Sequence, residues 1–145
     1  MIVPPVPSEE AASAPFWDAT RTQRLVFQRC DDCGAPVWYP RAVCPTCLSG
    51  NLTWTESTGR GTVYSVSVHY RAPAPELTDA VPYAVALVDL DGGPRMLTNV
   101  VDCDPEAVRI GDPVRATWRA LPDGRHLLQF APDPAGSLAD PPTSQ

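Results

Sequence analysis

Beyond residue 53 the chain is written in short blocks of alternating character. Tyr64, Val66, Val68 and Tyr70 alternate with Ser65, Ser67 and His69, the period of two that a strand shows when one face is buried. That phase puts the two tyrosines and two valines on the inner face. Pro82-Tyr83-Ala84-Val85-Ala86-Leu87-Val88 is apolar on both faces, which predicts a central strand. Asp91-Gly92-Gly93 is a hairpin signal leading into Arg95-Met96-Leu97-Thr98-Asn99-Val100-Val101. Ile110-Gly111-Asp112-Pro113 turns the chain into Val114-Arg115-Ala116-Thr117-Trp118, and Asp123-Gly124 turns it into His126-Leu127-Leu128-Gln129-Phe130. About five strands within about seventy residues, with no helical period among them, have the size and order of a five-stranded Greek-key barrel, the OB-fold.

Upstream the pattern differs. Ser13-Ala14-Pro15-Phe16-Trp17-Asp18-Ala19-Thr20 carries a helix start, with Ser13 as cap and Pro15 in the first turn. From Leu25 to Gln28 the chain becomes extended and runs into two cysteine pairs, Cys30-Asp31-Asp32-Cys33 and Cys44-Pro45-Thr46-Cys47, separated by residues 34 to 43. A two-residue gap lets two thiolates converge on one ion, and Gly34 and Pro45 supply turns. The spacing predicts one tetrahedral zinc site, with Val37-Trp38-Tyr39-Pro40-Arg41 as the hairpin of a zinc ribbon. Four thiolates leave no open coordination position, so this Zn2+ is structural and not catalytic. Disulfides would suit a secreted chain, but the first ten residues have neither a basic segment nor an apolar core of signal-peptide length, so a cytoplasmic location is expected. A redox C-x-x-C would need one pair opening a helix, and here two pairs sit in turn-rich sequence. Cys103 stands alone among Asp102, Asp104 and Pro105, with no histidine near it in sequence, and reads as an inert small residue.

Composition narrows the partners. Eighteen prolines in 145 residues, with Pro-, Ala- and Glu-rich residues 1–12 and an aperiodic 132–145, leave a folded part of about 115 residues and predict two disordered ends. The expected division is a lead-in and helix over 13–29, the ribbon over 30–51 and the barrel over 52–131. No apolar run approaches membrane-span length. The formal charge is −6 and all eleven basic residues are arginines. Without lysine there is no Schiff-base or lysine-base chemistry, and the acidic balance argues against nucleic acid.

Several segments, in this order along the chain, resemble a known family of acyl-CoA-associated proteins, the domain of unknown function 35. They are Phe16-Trp17; Arg24-Leu25 with Gln28-Arg29-Cys30; Cys33-Gly34; Pro40-Arg41 before Cys44-Pro45 and Cys47; Gly59-Arg60-Gly61-Thr62-Val63-Tyr64-Ser65; Pro82-Tyr83 with Val85-Ala86-Leu87-Val88; Asp91-Gly92-Gly93-Pro94-Arg95; and Ile110-Gly111-Asp112-Pro113-Val114. Together they span most of residues 13–130. Two positions depart from the family pattern: Gln23, where a glycine is frequent, and Leu48, where a small residue is usual. The resemblance implies an N-terminal helix, a rubredoxin-like zinc ribbon and an OB-fold. It also implies a non-catalytic accessory subunit of thiolase-like enzymes, including acyltransferases and the lipid-transfer-protein-type aldolases of steroid side-chain degradation, with a CoA thioester as a shared ligand.

The residues agree with an accessory role, since no catalytic constellation is legible. His69 and His126 are the only histidines, and G-x-S-x-G, P-loop and G-x-G-x-x-G motifs are missing. Gly59-Arg60-Gly61 reads as a strand-entry turn or bulge, and Asp89 and Asp91 as a solvated turn. Guanidinium forks suit phosphates, which makes Arg41, and more weakly Arg29 and Arg71, candidates for contacting CoA. Phe16, Trp17, Trp38 and Tyr39 are the candidate partner contacts, with packing inside the chain as the competing explanation. Zinc ribbons and OB-folds also serve nucleic-acid binding. A basic groove would be needed for that, and seventeen acidic residues against eleven basic ones disfavour it.

Overall fold

The computed structural model describes residues 6–7 and 10–134. Its first element is a two-turn helix, α1 (Ala14–Thr20), with proline in its first turn. Ser13 does occupy the N-cap, but its side chain accepts no hydrogen bond from the helix; the hydroxyl donates to the Glu10 carbonyl at 3.3 Å instead. The expected side-chain cap is therefore not made. At the other end the Gln23 N–H donates to Thr20 O (2.9 Å) and the Arg24 N–H to Ala19 O (3.0 Å). That pair of bonds closes a helix around one left-handed residue, here Gln23 at φ 58°. The frequent glycine of related chains would meet this geometry without its Cβ cost. Thr20, fully buried, fastens the helix down: its hydroxyl donates to Trp17 O (2.6 Å) and accepts the His126 N–H (3.2 Å).

Three strands form the ribbon sheet: β1 (Val26–Cys30), β2 (Pro36–Val37) and β3 (Leu52–Glu56). They lie in the order β2-β1-β3, antiparallel throughout, and β3 pairs with β1 from Val26↔Glu56 to Cys30↔Leu52. β3 thus completes the ribbon sheet, although the sequence boundary at 52 placed it in the barrel. A strand rich in Thr and Trp does not announce which sheet will take it.

The remaining strands, β4 (Arg60–His69), β5 (Tyr83–Leu90), β6 (Arg95–Val100), β7 (Pro113–Ala120) and β8 (His126–Pro132), close a barrel in the order β4-β5-β6-β8-β7. Every pairing is antiparallel except β6–β8, which meet in parallel at Val100↔Phe130. This is the OB-fold arrangement. β5 is the central strand expected, ladder-bonded to β4 on one side and β6 on the other. It buries Ala84, Ala86, Val88 and Leu90 and leaves the alternate face half-covered.

The phase expected for β4 holds at Val66, which packs against the barrel core, but not at the two tyrosines. Its register slips between Val63 and Ser65, so Tyr64 is the extra residue of a β-bulge, and a bulge exchanges the inward and outward faces. Gly61 and Val63 are buried, whereas Tyr64 is 49 % and Tyr70 63 % exposed. Gly61 is obligatory for a separate reason: a Cβ there would stand 2.7 Å from both the Asp89 carbonyl oxygen and Val88 Cγ1.

One cluster, with Val63, Val88, Met96, Val114 and Phe130 at its centre, fills the barrel and extends to Phe16 and Leu25. The ribbon is joined to it through Phe27, whose ring sits 3.3 Å from where a Cβ on Gly93 would be, and through Arg29, which donates to Gly34 O at 2.9 Å and to Gly92 O. β8 continues through Pro132, and Asp133 is buried, so the folded part reaches slightly past the expected boundary at 132. The remaining residues expected to be disordered lie mostly outside the described ones. No helix among the described residues is long and apolar enough to cross a membrane.

Candidate metal centre and flanking surfaces

The two knuckles are built alike. Gly34 N–H donates to Cys30 O (2.9 Å) and Leu48 N–H to Cys44 O (2.8 Å). In each knuckle the residue after the second cysteine is left-handed, Gly34 at φ 76° and Leu48 at φ 66°. Such a turn directs both thiols of a pair to the same side, and the ribbon sheet brings the pairs together. The four Sγ atoms of Cys30, Cys33, Cys44 and Cys47 lie within 4.8 Å of one another, with Cys30–Cys47 at 3.5 Å and Cys33–Cys44 at 3.6 Å. Tetrahedral Zn–S bonds of about 2.3 Å require sulfurs about 3.8 Å apart. The geometry therefore fits Zn2+, and the donor set, four thiols with none spare, fits a structural ion.

The surroundings favour one thiolate within the cluster, at Cys44, while Cys33 and Cys47, against the opposing backbone hydrogen bonds, are pushed up by burial and the neighbouring sulfurs. The backbone N–H of Cys47, then that of Thr46 against the opposing effect of burial, holds Cys44 down at about 6; the Thr46 N–H lies 3.3 Å from the sulfur. Cys30 and Cys44 are buried while Cys33 and Cys47 face solvent. The knuckle aspartates brace the loops. Asp32 accepts from Ser49 Oγ and from Asn51 Nδ2 (3.1 Å), and Asp31 from Thr53 Oγ1 (2.9 Å). The Ser49 and then the Asn51 hydrogen bonds lower the Asp32 carboxyl below its usual range.

The four aromatics converge. Phe16 packs edge-on to Trp17 (5.1 Å between centroids) and to Trp38 (5.2 Å), and Trp38 leans on Tyr39 (5.5 Å). All four line one cavity of about 460 Å³, closed on the barrel side by Met96, Leu97 and Leu128. Their exposure divides them. Phe16 is 7 % exposed and packs in the core, whereas Tyr39 is 55 % exposed and the Trp17 and Trp38 rings are half-buried. The Trp38 Nε1 donor is buried and has no hydrogen-bond partner among the described residues.

The three candidate arginines are scattered. Arg29 spends its donors on Gly34 and Gly92. Arg41 Nε donates to Tyr39 O (3.2 Å) while its backbone is gripped by the buried Gln28 side chain at 2.9 and 3.0 Å. Arg71 lies beyond the end of β4 in the exposed loop. None of them lines the aromatic cavity. His126 Nδ1 lies 2.8 Å from Thr20 O and is a fastener between helix and barrel. His69 stacks on Tyr83 at 5.2 Å. Burial, then Asp104 and Asp102, pushes the Cys103 thiol up, as suits an unreactive cysteine. Arg24, Arg60 and Arg115, distant in sequence, share a crevice with Trp118, and strand register sets Arg60 opposite Arg115.

Fold and site together define a zinc ribbon joined to an OB-fold barrel. Residues 17–53 match the family model described as ChsH2, rubredoxin-like zinc ribbon domain, and residues 54–119 match ChsH2, C-terminal OB-fold domain. The chain belongs to the DUF35 family: it is 36 % identical over 112 residues to a DUF35 domain-containing scaffold protein of Methanothermobacter thermautotrophicus, covering 72 % of this chain and 84 % of that one. It is also 37 % identical over 133 residues to the 3-oxo-4,17-pregnadiene-20-carboxyl-CoA hydratase alpha subunit of Mycobacterium tuberculosis, covering 88 % of this chain but only 40 % of that protein's length. A solved Ltp2-ChsH2(DUF35) aldolase superposes with a TM-score of 0.76 at 35 % identity, over 88 % of this chain and 98 % of the matched one.

Proposed function

We propose that this chain is a non-catalytic accessory subunit that binds a thiolase-superfamily enzyme, of the thiolase, acyltransferase or steroid side-chain aldolase type, and supports its handling of an acyl-CoA. The observation that carries the reading is the end-to-end likeness to the chain of the Ltp2-ChsH2(DUF35) aldolase, 98 % of which is matched. A relative named as a CoA hydratase subunit supports the substrate class. The closed thiolate shell gives the metal no position for substrate, which suits a scaffold. The partner contact proposed is the rim of the aromatic cavity, Trp17, Trp38 and Tyr39, because half-exposed aromatics over an apolar floor are the residues that dominate interface energetics.

Co-expression with a thiolase-superfamily protein of the same genome, followed by size exclusion, tests this. A stable complex that is lost in the Trp38→Ala, Tyr39→Ala double variant is expected. If the two proteins elute apart and the enzyme keeps full activity alone, the reading is wrong. A labelled oligonucleotide should show no anisotropy change at physiological salt; micromolar binding with a steep salt dependence would favour a nucleic-acid module.

A further inference from the structure

We propose that the aromatic cavity is the seat of a proline-rich segment of this same chain, Met1–Pro5, which lies outside the described residues and joins them at Val6. The sequence there is Met1-Ile2-Val3-Pro4-Pro5-Val6-Pro7, without a charged side chain and with Pro4 and Pro7 in a P-x-x-P arrangement. Such segments favour the polyproline II helix, whose carbonyls make no internal hydrogen bonds, and they dock into grooves lined by aromatic rings.

The cavity has that lining. Trp17, Phe16, Trp38 and Tyr39 follow one another at 5.1, 5.2 and 5.5 Å between centroids, and Glu10 is the only charged residue among those that line it. A space so apolar suits proline, valine and isoleucine side chains and offers nothing to a phosphate. Its polar needs are those of a peptide. Trp38 Nε1 and Arg125 Nη1 are buried donors with no hydrogen-bond partner among the described residues, and leaving a buried donor unmet is unfavourable. Pro7 marks where acceptors arrive. It lines the cavity, its carbonyl accepts from Arg125 Nη2 at 2.7 Å, and that guanidinium, in a residue 4 % exposed, lies over the Trp17 ring at 5.0 Å. The second proline of P-x-x-P is thus already in place, and the residues just before it bring the next free carbonyls.

Reach and tethering decide whether so short a segment can hold. At about 3.1 Å per residue, five residues in this conformation span about 15 Å, enough to track the row of rings from Trp17 to Tyr39. A tethered segment meets its seat at an effective concentration of about 1 mM, so the seat is about nine-tenths filled even when the free segment binds at only about 0.1 mM. This seat is a property of the chain alone. On the reading given above the same rim meets the enzyme, and the two would compete for it.

Solution NMR of the full-length zinc-loaded chain, without any partner, tests this. Nuclear Overhauser contacts from the Pro4 and Pro5 rings to Trp38 and Tyr39 are expected, with order parameters of Ile2 and Val3 above about 0.6. Pro4→Ser combined with Pro5→Ser should remove both signatures while the barrel and ribbon signals stay in place. The free pentapeptide Met-Ile-Val-Pro-Pro should bind that variant about tenfold more tightly than it binds the unsubstituted chain, whose seat is filled. Equal peptide affinity for the two proteins, or order parameters below about 0.6 without ring contacts, overturns the seat. Contacts found only between molecules, in a mixture of labelled and unlabelled chains, give the cavity to a second copy and overturn the assignment to the chain's own segment. No enzyme enters these measurements, so their failure is distinct from failure of the complex proposed above.

Discussion

The ribbon and the barrel solve the problem of folding in opposite ways. The barrel cluster holds twelve buried residues, from Phe16 to Phe130, and owes its stability to apolar area removed from water. The ribbon's own cluster is Cys30, Val37 and Cys44 with Leu52 packed against it, so two of its three fully buried members are metal ligands. A core that small cannot offset the entropy of ordering the loops between residues 30 and 52. The ion is therefore the ribbon's core, while the barrel's core is hydrocarbon.

The comparison breaks most sharply on the metal. Removing zinc with a chelator, or substituting Cys44→Ser, should unfold residues 26–56 while the barrel keeps its strands, because structural zinc supplies about 10–16 kcal/mol of coupled binding and folding free energy. Hydrogen exchange with zinc present and absent reads this segment by segment. Loss of barrel protection in the same step would show that the two lobes are one cooperative unit. Acid should act in the same way. Protons compete with the ion for all four thiolates, so zinc affinity falls as pH falls. Zinc release followed by a chromogenic chelator should rise progressively on acidification, whereas barrel exchange should not.

Phe130→Ala is the counterpart in the other lobe. The ring is fully buried at the point where β6 and β8 close the barrel, and truncation of such a residue costs about 3–5 kcal/mol. Denaturant midpoints should fall accordingly while zinc stoichiometry stays at one per chain. A variant that loses both stability and metal would contradict the division.

How much of this was legible depended on whether a feature is local. Cysteine spacing is local, and all four ligands were found; hairpin signals such as Asp91-Gly92-Gly93 are local, and the strands they separate lie close to where they were expected. Features set by pairing were not. The bulge at Tyr64 turned that ring outward although Val66 packs inward as expected, β3 joined the ribbon sheet, and Arg60 met Arg115 across 55 residues through register alone. Phe16 and Tyr39 looked alike as aromatics near the ribbon, and only packing separates a core ring from an exposed one. The arginines first suspected of phosphate contact were chosen by residue type, and Arg29 proved to be spent on carbonyls.

That arginine gives the next sharpening of the comparison. Arg29 is the ribbon residue that reaches the β5–β6 turn, donating to Gly92 O, so it is a tie between the metal-held and core-held lobes. Hydrogen bonds from a charged donor are worth about 1.5–3 kcal/mol when well buried. The half-buried Arg29 should lose about 1–2 kcal/mol on substitution by Ala, in the cooperativity between lobes more than in either alone. Ribbon and barrel transitions lying further apart in Arg29→Ala than in the unsubstituted protein are the expected result. An unchanged separation would assign the coupling to Phe27 against Gly93.

The smallest effect concerns the one asymmetry between the two knuckles. Gly34 and Leu48 occupy equivalent places, each left-handed and each donating to the first cysteine of its pair. A left-handed conformation costs a residue with a Cβ about 1–2 kcal/mol, while glycine gives back about 0.5–1 kcal/mol through its freer unfolded chain. The Leu48 side chain offers little in return, being 75 % exposed. Leu48→Gly should therefore stabilise the ribbon by about 0.5–1 kcal/mol and slow zinc loss to a competing chelator, and the reverse change, Gly34→Leu, should weaken it by a similar amount. If Leu48→Gly leaves the isolated chain more stable yet weakens its complex with a thiolase-like enzyme, the leucine is kept for the partner; if it destabilises the isolated chain, the equivalence of the two knuckles fails.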